Sequence, residues 1–120
     1  MGLMHVTVRV SNLAGQGAPY EADFLVDTGA VDCLGPADRL RQAGIRPEGR
    51  AAYELASGQA VEYDYGFARV SFLGDETVTR IIFGPPDVEP ILGVIALESA
   101  GVTVDPVTRT LKRLPVRPLK

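Results

Sequence analysis

The chain has 120 residues, the size of one ordinary domain, and 46% of them are apolar, so we expect residues 1–120 to form a single domain with its own core. A formal charge of -3, with basic residues scattered until the tail at residues 112–120, argues against a nucleic-acid partner. One cysteine, no signal-peptide pattern and no apolar run near the roughly 20 residues that cross a bilayer predict a soluble, cytoplasmic protein without a membrane partner.

The first part of the chain predicts two paired strands. Val6, Val8 and Val10 alternate with polar residues, which is the period of a half-buried strand. Residues 11–19 are rich in turn-forming residues, and a second strand is predicted to follow them over residues 20–26. Asp27 leaves that strand on its more polar face.

An alternation of apolar residues over residues 53–67 predicts a β-hairpin that turns at a Ser-Gly pair. A two-residue loop would mix apolar and polar side chains on each face. A three-residue loop, residues 57–59, pairs Leu55 with Val61 and keeps the apolar side chains together. We therefore expect the longer loop.

Glycine and proline divide the rest of the chain into short elements. A helix of one or two turns is predicted between Pro36 and Gly44, and a second helix follows Gly93 and ends at Gly101. The other predicted strands are residues 68–73 and 77–83, joined by a turn at residues 74–75, and the arms of a last hairpin at residues 102–104 and 111–114.

Asp27 is the residue that most strongly indicates chemistry. It follows the apolar residues 24–26, and a carboxylate in such a place is costly unless it is hydrogen-bonded, paired or protonated. Thr28 and Gly29 supply a short hydroxyl and a flexible turn, so backbone N–H groups can converge on the acid. The same three residues are also ordinary turn chemistry, and taken alone they do not decide between the two interpretations.

Three features together resemble the retroviral-type, or retropepsin-like, aspartic proteases, and more closely their small bacterial relatives. They are the sequence VDTGA at residues 26–30, the hairpin at the position of the family's flap, and Ile91-Leu92-Gly93 followed by a short helix. The resemblance spans nearly the whole chain. It implies an all-β fold, a retropepsin-like closed β-barrel with a flap hairpin and one short C-terminal helix.

The resemblance also implies an aspartic endopeptidase that acts on peptide or protein substrates and needs no cofactor or metal. Proteases of this kind use two carboxylates that share one proton and activate a water molecule. This chain contains a single Asp-Thr-Gly sequence. The resemblance therefore implies a homodimer in which Asp27 meets its own copy across a two-fold axis.

Site residues follow from the same resemblance. Asp27 would be the catalytic residue, and Asp32 would line the cleft. Residues 1–5 and 102–114 are candidates for a sheet between the two subunits. The catalytic turn would be supported by Thr28, Gly29 and Ala30. The segment packed behind it would be Ile91, Leu92 and Gly93. The flap would consist of Ala56, Ser57, Gly58, Gln59 and Ala60.

Two positions depart from the viral pattern. Viral enzymes usually carry an acid after the Asp-Thr-Gly-Ala sequence and an arginine, which pairs with it, after the later glycine. This chain has Val31 and Val94 there. Replacing both partners avoids a buried unpaired charge, but such a dimer must be held differently from the viral one.

Two other functions stay open at this point. One is a catalytically weak or inactive dimer of the same fold that binds peptides or acts as a scaffold. The other is an acid-dependent enzyme, such as a glycosidase, that uses Asp27 with Asp23 or Asp32 within one chain. Asp23 lies four residues before Asp27 on the same strand face, roughly 13 Å away, which excludes a shared proton.

The remaining reactive residues have simpler interpretations. Cys33 has no neighbouring basic residue and is predicted to be a buried apolar filler. His5 is the single histidine, so no His-based triad is available. Asp87, Glu89 and Asp105 have no recurring ligand spacing and are interpreted as loop acids.

Overall fold

The computed structural model describes residues 4–117 and residue 119, and the fold is mostly β. The predicted all-β class is therefore confirmed. None of the helices in those residues has the length and apolar character needed to span a membrane. In chain order the elements are β1 His5–Ser11, β2 Tyr20–Val26, β3 Cys33–Pro36, α1 Ala37–Gln42, β4 Gly49–Glu54, β5 Ala60–Phe72, β6 Asp75–Gly84, β7 Ile91–Leu92, α2 Val94–Ser99, β8 Val102–Asp105 and β9 Thr110–Arg113.

Seven strands form one sheet in the order β1-β2-β7-β3-β6-β5-β4. Because β1 also pairs with β5, the pairings return to the first strand and only β4 lies outside this circuit. The hairpin of β8 and β9 forms a separate two-stranded sheet. The core lies inside the circuit, and α2 packs its apolar residues against it.

The core follows from the period of two along each strand, which directs every second side chain inward. On β1 and β2 the predicted faces are confirmed, since Val8, Val10 and Phe24 are fully buried. On the later strands and α2 the buried residues include Ala68, Val70, Ile81, Leu92, Ala96 and Leu97.

The hairpin of β4 and β5 differs from the predicted register by two residues. Tyr53 pairs with Val61, and the three-residue loop is 56–58 rather than 57–59. Gly58 has a φ of +87°, and the third residue of such a loop must adopt this left-handed conformation. The predicted loop would have put Gln59 there. Because the shift is an even number of residues, the odd-numbered side chains still share one face.

Two other boundaries were predicted wrongly. β5 is one continuous strand of 13 residues, whereas the sequence suggested a new strand at residue 68. The turn after it is Leu73-Gly74 rather than Gly74-Asp75, with φ values of +52° and +78° that fit the strand twist of a two-residue hairpin.

Both predicted helices are present, so the fold has two short helices where the resemblance implied one. α1 begins after Pro36 and is followed by Gly44 at φ +83°. α2 begins after Gly93 and is followed by Gly101 at φ +70°. Each glycine provides the left-handed residue that commonly ends a helix.

Candidate active site

Asp27 is the first residue after β2, and its turn is closed by backbone hydrogen bonds. The Gly29 N–H donates to the Asp27 Oδ1 atom at 2.9 Å, and the Ala30 N–H donates to the Asp27 carbonyl at 3.1 Å. The Asp27 side chain is half-buried, whereas Thr28 and Gly29 are exposed. The turn thus orients one carboxylate oxygen through a backbone donor and presents the acid at the surface of a single chain.

Directly behind this turn, β7 is inserted between β2 and β3. It pairs in parallel with β2, with Leu25 opposite Ile91 and Val26 opposite Leu92, and antiparallel with β3 through Leu34 and Ile91. Leu92 is fully buried, and its carbonyl accepts a 3.1 Å hydrogen bond from the Asp27 N–H. The backbone of the acid is therefore fixed by a segment some sixty residues away in the sequence.

Gly93 lies in close contact with the far side of the turn. A Cβ atom on Gly93 would be 2.5 Å from the Asp32 carbonyl oxygen and 2.8 Å from that of Val31. The next residue, Val94, donates its N–H to the Ala30 carbonyl at 2.8 Å. Only glycine permits this approach, so the turn from Asp27 to Asp32 depends on residues 92–94 for its shape.

The flap residues lie at the tip of the hairpin of β4 and β5. Ala56, Ser57, Gly58 and Gln59 form its exposed loop, while Ala60 is the first residue of β5 and pairs with Glu54. The loop is closed by the Leu55 N–H, which donates to the Gln59 carbonyl at 2.8 Å.

Near its tip, on the β4 arm, the hairpin is joined to the catalytic turn. The Tyr53 hydroxyl, on β4, donates to the Asp32 Oδ2 atom at 2.9 Å. Burial raises the pKa of the Tyr53 hydroxyl and the Asp32 carboxylate raises it further, while Arg80 acts in the opposite direction. The hydroxyl therefore stays protonated at neutral pH and remains a donor to Asp32.

Sequence reasoning missed both Tyr53 and Arg80 as parts of this site. β3 and β6 pair in parallel with Cys33 opposite Ile81, which makes Asp32 and Arg80 neighbours on the same face of the sheet. These neighbours are 48 positions apart in the printed sequence. Only the order of the strands brings them together, and no local pattern signals it.

The acids of the single-chain alternative are engaged elsewhere. Asp23 accepts a 2.8 Å hydrogen bond from the Thr7 hydroxyl on the exposed side of β1 and β2. Asp32 holds the Tyr53 hydroxyl. Neither contact directs a second carboxylate toward Asp27.

Cys33 and His5 stay apart from the candidate chemistry. Cys33 is fully buried as predicted, and burial raises the pKa of its thiol to about 11. His5 is exposed, with its Nε2 atom 3.3 Å from a Glu89 carboxylate oxygen. A protonated thiol in the core is unsuited to nucleophilic attack.

Comparison with known proteins leaves the site to be interpreted on its own geometry. No protein-family model matches this sequence, and no curated protein matches it either. The function has to be argued from the turn that holds Asp27, the segment packed behind it and the hairpin joined to it.

Proposed function

We propose that the protein is a homodimeric aspartic endopeptidase with a retropepsin-like fold, in which two Asp27 carboxylates, one from each protomer, activate a water molecule. The observation that carries this proposal is the turn itself. Its acid is oriented by the Gly29 N–H, and its far side is packed against Gly93. Such bracing holds a reactive carboxylate in one geometry, as catalysis requires.

The proposed chemistry needs both acids of the dimer. Two carboxylates in contact cannot both ionise, so one accepts a proton from the attacking water and the other, protonated, polarises the peptide carbonyl. Within one chain, Asp23 and Asp32 are held by Thr7 and Tyr53. The second acid is therefore expected from a second copy of Asp27.

Apolar surface beside the turn supports this pairing. Val31 is 57% exposed and Ile95 is 42% exposed, and the Ile95 N–H donates to the Val31 carbonyl at 3.3 Å. These side chains adjoin the turn that would meet its copy at the two-fold axis, and burying them would favour association. Val31 stands at one position of the viral ion pair, and Ile95 follows Val94, which stands at the other.

The hairpin of β8 and β9 is the other candidate for the subunit contact. Among the residues described, this hairpin pairs with no strand of the large sheet, so its own edges can accept strands of a second copy. The partner segment suggested by the resemblance, residues 1–5, lies partly outside the described residues, which begin at Met4.

We place the enzyme in the cytoplasm, where an unpaired thiol such as Cys33 is stable.

In this proposal a peptide binds in extended form between the flap and the catalytic turn, with its backbone paired to strand edges. The exposed flap, residues 56–60, would close over it. Thr28, Gly29 and Ala30 would keep the two turns in register and bind substrate backbone.

The decisive experiment compares wild type with Asp27→Asn on a denatured protein pool between about pH 4 and pH 7. Loss of the acid should lower hydrolysis by about a thousandfold or more. The matched control is Asp23→Asn, which removes a neighbouring carboxylate that is bonded to Thr7. Equal hydrolysis by wild type and Asp27→Asn would refute the proposal.

Subunit mixing tests the shared site directly. An excess of inactive Asp27→Asn chains should draw wild-type chains into mixed dimers that contain one acid, and the activity per wild-type chain should fall. Sedimentation measures the dimer in the same samples. A wild-type protein that is fully active as a monomer would contradict the two-chain site.

A second candidate is a dimer of this fold that binds peptides without cleaving them. The observation in its favour is the hydrogen bond from Tyr53 to Asp32, which ties the flap hairpin to the turn within one chain and restrains its movement. In that case wild type and Asp27→Asn would bind peptides equally and neither would hydrolyse them.

A further inference from the structure

Arg80, on β6, carries a positive charge that no acidic side chain of the described residues neutralises at close range. Across residues 4–117, no Asp or Glu oxygen lies within 4.0 Å of its guanidinium, although Arg50 on the flap hairpin has such a partner in Asp64 at 3.0 Å. The Arg80 side chain is partly exposed. It is therefore open to an anionic ligand.

Aromatic rings hold this guanidinium in place. Its central carbon lies 3.9 Å from the centroid of the Tyr65 ring and 6.0 Å from that of Phe67. A guanidinium stacked on a ring keeps its N–H groups free at its edge, and these donors match a carboxylate in a two-pronged geometry. The neighbouring Tyr53 hydroxyl raises the pKa of Arg80, and a single hydroxyl oxygen can engage only part of the five N–H donors of a guanidinium.

The position of Arg80 relates it to the proposed cleft. It is next to Asp32 through the parallel pairing of β3 and β6, and Asp32 belongs to the turn that begins at Asp27. Tyr53, on the flap hairpin, donates its hydroxyl to Asp32. Arg80 thus lies where the flap hairpin meets the catalytic turn, on the wall that an extended peptide would follow.

Asp32 is the negative charge that faces Arg80 here, and it would repel an acidic ligand. Its Oδ2 atom is engaged by the Tyr53 hydroxyl, and it lies more than 4.0 Å from the guanidinium. A carboxylate bonded directly to Arg80 would be closer to the positive charge than to Asp32. Because the Coulomb energy falls with distance, attraction by Arg80 is the larger effect.

We propose that Arg80 is a specificity-determining residue that binds an acidic side chain of an extended peptide lying between the flap and the catalytic turn. The inference takes the location of the peptide from the proposed function. It requires binding but not hydrolysis, so it can be tested in a protein that cannot cleave.

The test uses the Asp27→Asn protein and a library of randomised ten-residue peptides whose ends are acetylated and amidated. Blocked ends leave acidic side chains as the sole carboxylates. Peptides that elute with the protein in gel filtration are sequenced by mass spectrometry. We expect Asp and Glu to be enriched at one position, and a Glu peptide to bind about tenfold more tightly than its Gln counterpart.

Three variants in the Asp27→Asn background define the role of Arg80. Arg80→Gln should bind Glu and Gln peptides equally, and Arg80→Glu should favour a basic residue at the same position. Arg50→Gln is the matched control, because it removes an arginine of the flap hairpin that already has acidic partners. It should keep the full acidic preference.

Loss of folding is distinguished by thermal unfolding of each variant. If Arg80→Gln unfolds early, Arg80→Lys decides the question, since it keeps the charge and should retain a weaker acidic preference. The inference would be overturned by any of three outcomes. The acidic preference persists in Arg80→Gln, or the parent protein shows no enrichment of acidic residues. The third is that Arg80→Lys weakens the binding of Glu and Gln peptides equally.

The outcomes separate this inference from the endopeptidase proposal. Binding of acidic peptides that depends on Arg80, with no hydrolysis by wild type, would refute the enzyme and support the subsite. Hydrolysis that requires Asp27 but does not depend on acidic residues in the substrate would support the enzyme and refute the subsite.

Discussion

The Tyr53 hydroxyl donates a 2.9 Å hydrogen bond to the Asp32 carboxylate, and this contact joins the flap hairpin to the turn that carries Asp27. Both groups are partly buried, so water replaces the bond poorly when either partner is removed. The contact thus links the position of the hairpin to that of the turn. It is therefore the first place to test how the hairpin and the candidate site depend on each other.

Replacing Tyr53 by Phe should remove this bond while keeping the ring. We expect the free energy of unfolding to fall by about 1 kcal/mol and amide hydrogens in residues 55–59 to exchange faster. Tyr63→Phe is the control, because the Tyr63 hydroxyl makes no side-chain hydrogen bond within the part of the chain described. Unchanged exchange in Tyr53→Phe would show that the flap does not depend on Asp32.

Gly93→Ala should distort the catalytic turn. The added Cβ would lie 2.5 Å from the Asp32 carbonyl oxygen, and backbone on both sides leaves no flexible group to yield. We expect a loss of at least about 2 kcal/mol in unfolding free energy, measured by urea titration.

The control for this steric effect is Gly58→Ala in the flap loop. Gly58 has a φ of +87° but nothing within 4 Å of its Cβ position, so it should cost only the left-handed strain of about 1 kcal/mol. If Gly93→Ala cost no more than Gly58→Ala, the close packing behind the turn would be of no consequence.

The buried thiol of Cys33 should make the folded protein less stable at alkaline pH. Burial raises the pKa of its thiol from an ordinary value near 9.0 to about 11. Between these values the unfolded chain releases the proton and the folded chain keeps it, so stability is complete below about pH 9 and falls as the pH rises to about 11, by roughly 2 to 3 kcal/mol in total.

The thiol contribution can be isolated by comparison with Cys33→Ala. Burial also raises the pKa of Tyr20 and Tyr53, so both proteins should lose stability at high pH, but the decline should be shallower in the variant. Urea titrations at several alkaline pH values measure the difference. Parallel curves, or rapid alkylation of native Cys33 at neutral pH, would contradict a buried, protonated thiol.

The local part of the fold could be predicted from sequence, because alternation and turn residues act over short distances. β1, β2, the last hairpin and both helices lie where Val8, Phe24, Gly44 and Gly101 indicated. The predicted register of the flap hairpin was wrong by two residues. Its loop is decided by where Gly58 can supply a positive φ, a stronger constraint than the pairing of apolar side chains.

The long-range part of the site could not be derived in this way. The pairing of β3 with β6 brings Asp32 beside Arg80, and the hydrogen bond from Tyr53 completes the group. None of these residues belongs to a short motif, and the contacts depend on strand order. The resemblance indicated Asp27 and residues 91–93. The hydrogen bond that connects the flap hairpin to the turn depends on the folded structure and has no signal in the sequence.

The parallel insertion of β7 beside β2 has a consequence for biosynthesis. The backbone partners that shape residues 25–32 include Leu92 and Val94, which the ribosome adds some sixty residues later. A nascent chain that stops before this point carries Asp27 on an unformed loop. Chain elongation itself thus delays assembly of the acid's surroundings until Val94 has been synthesised.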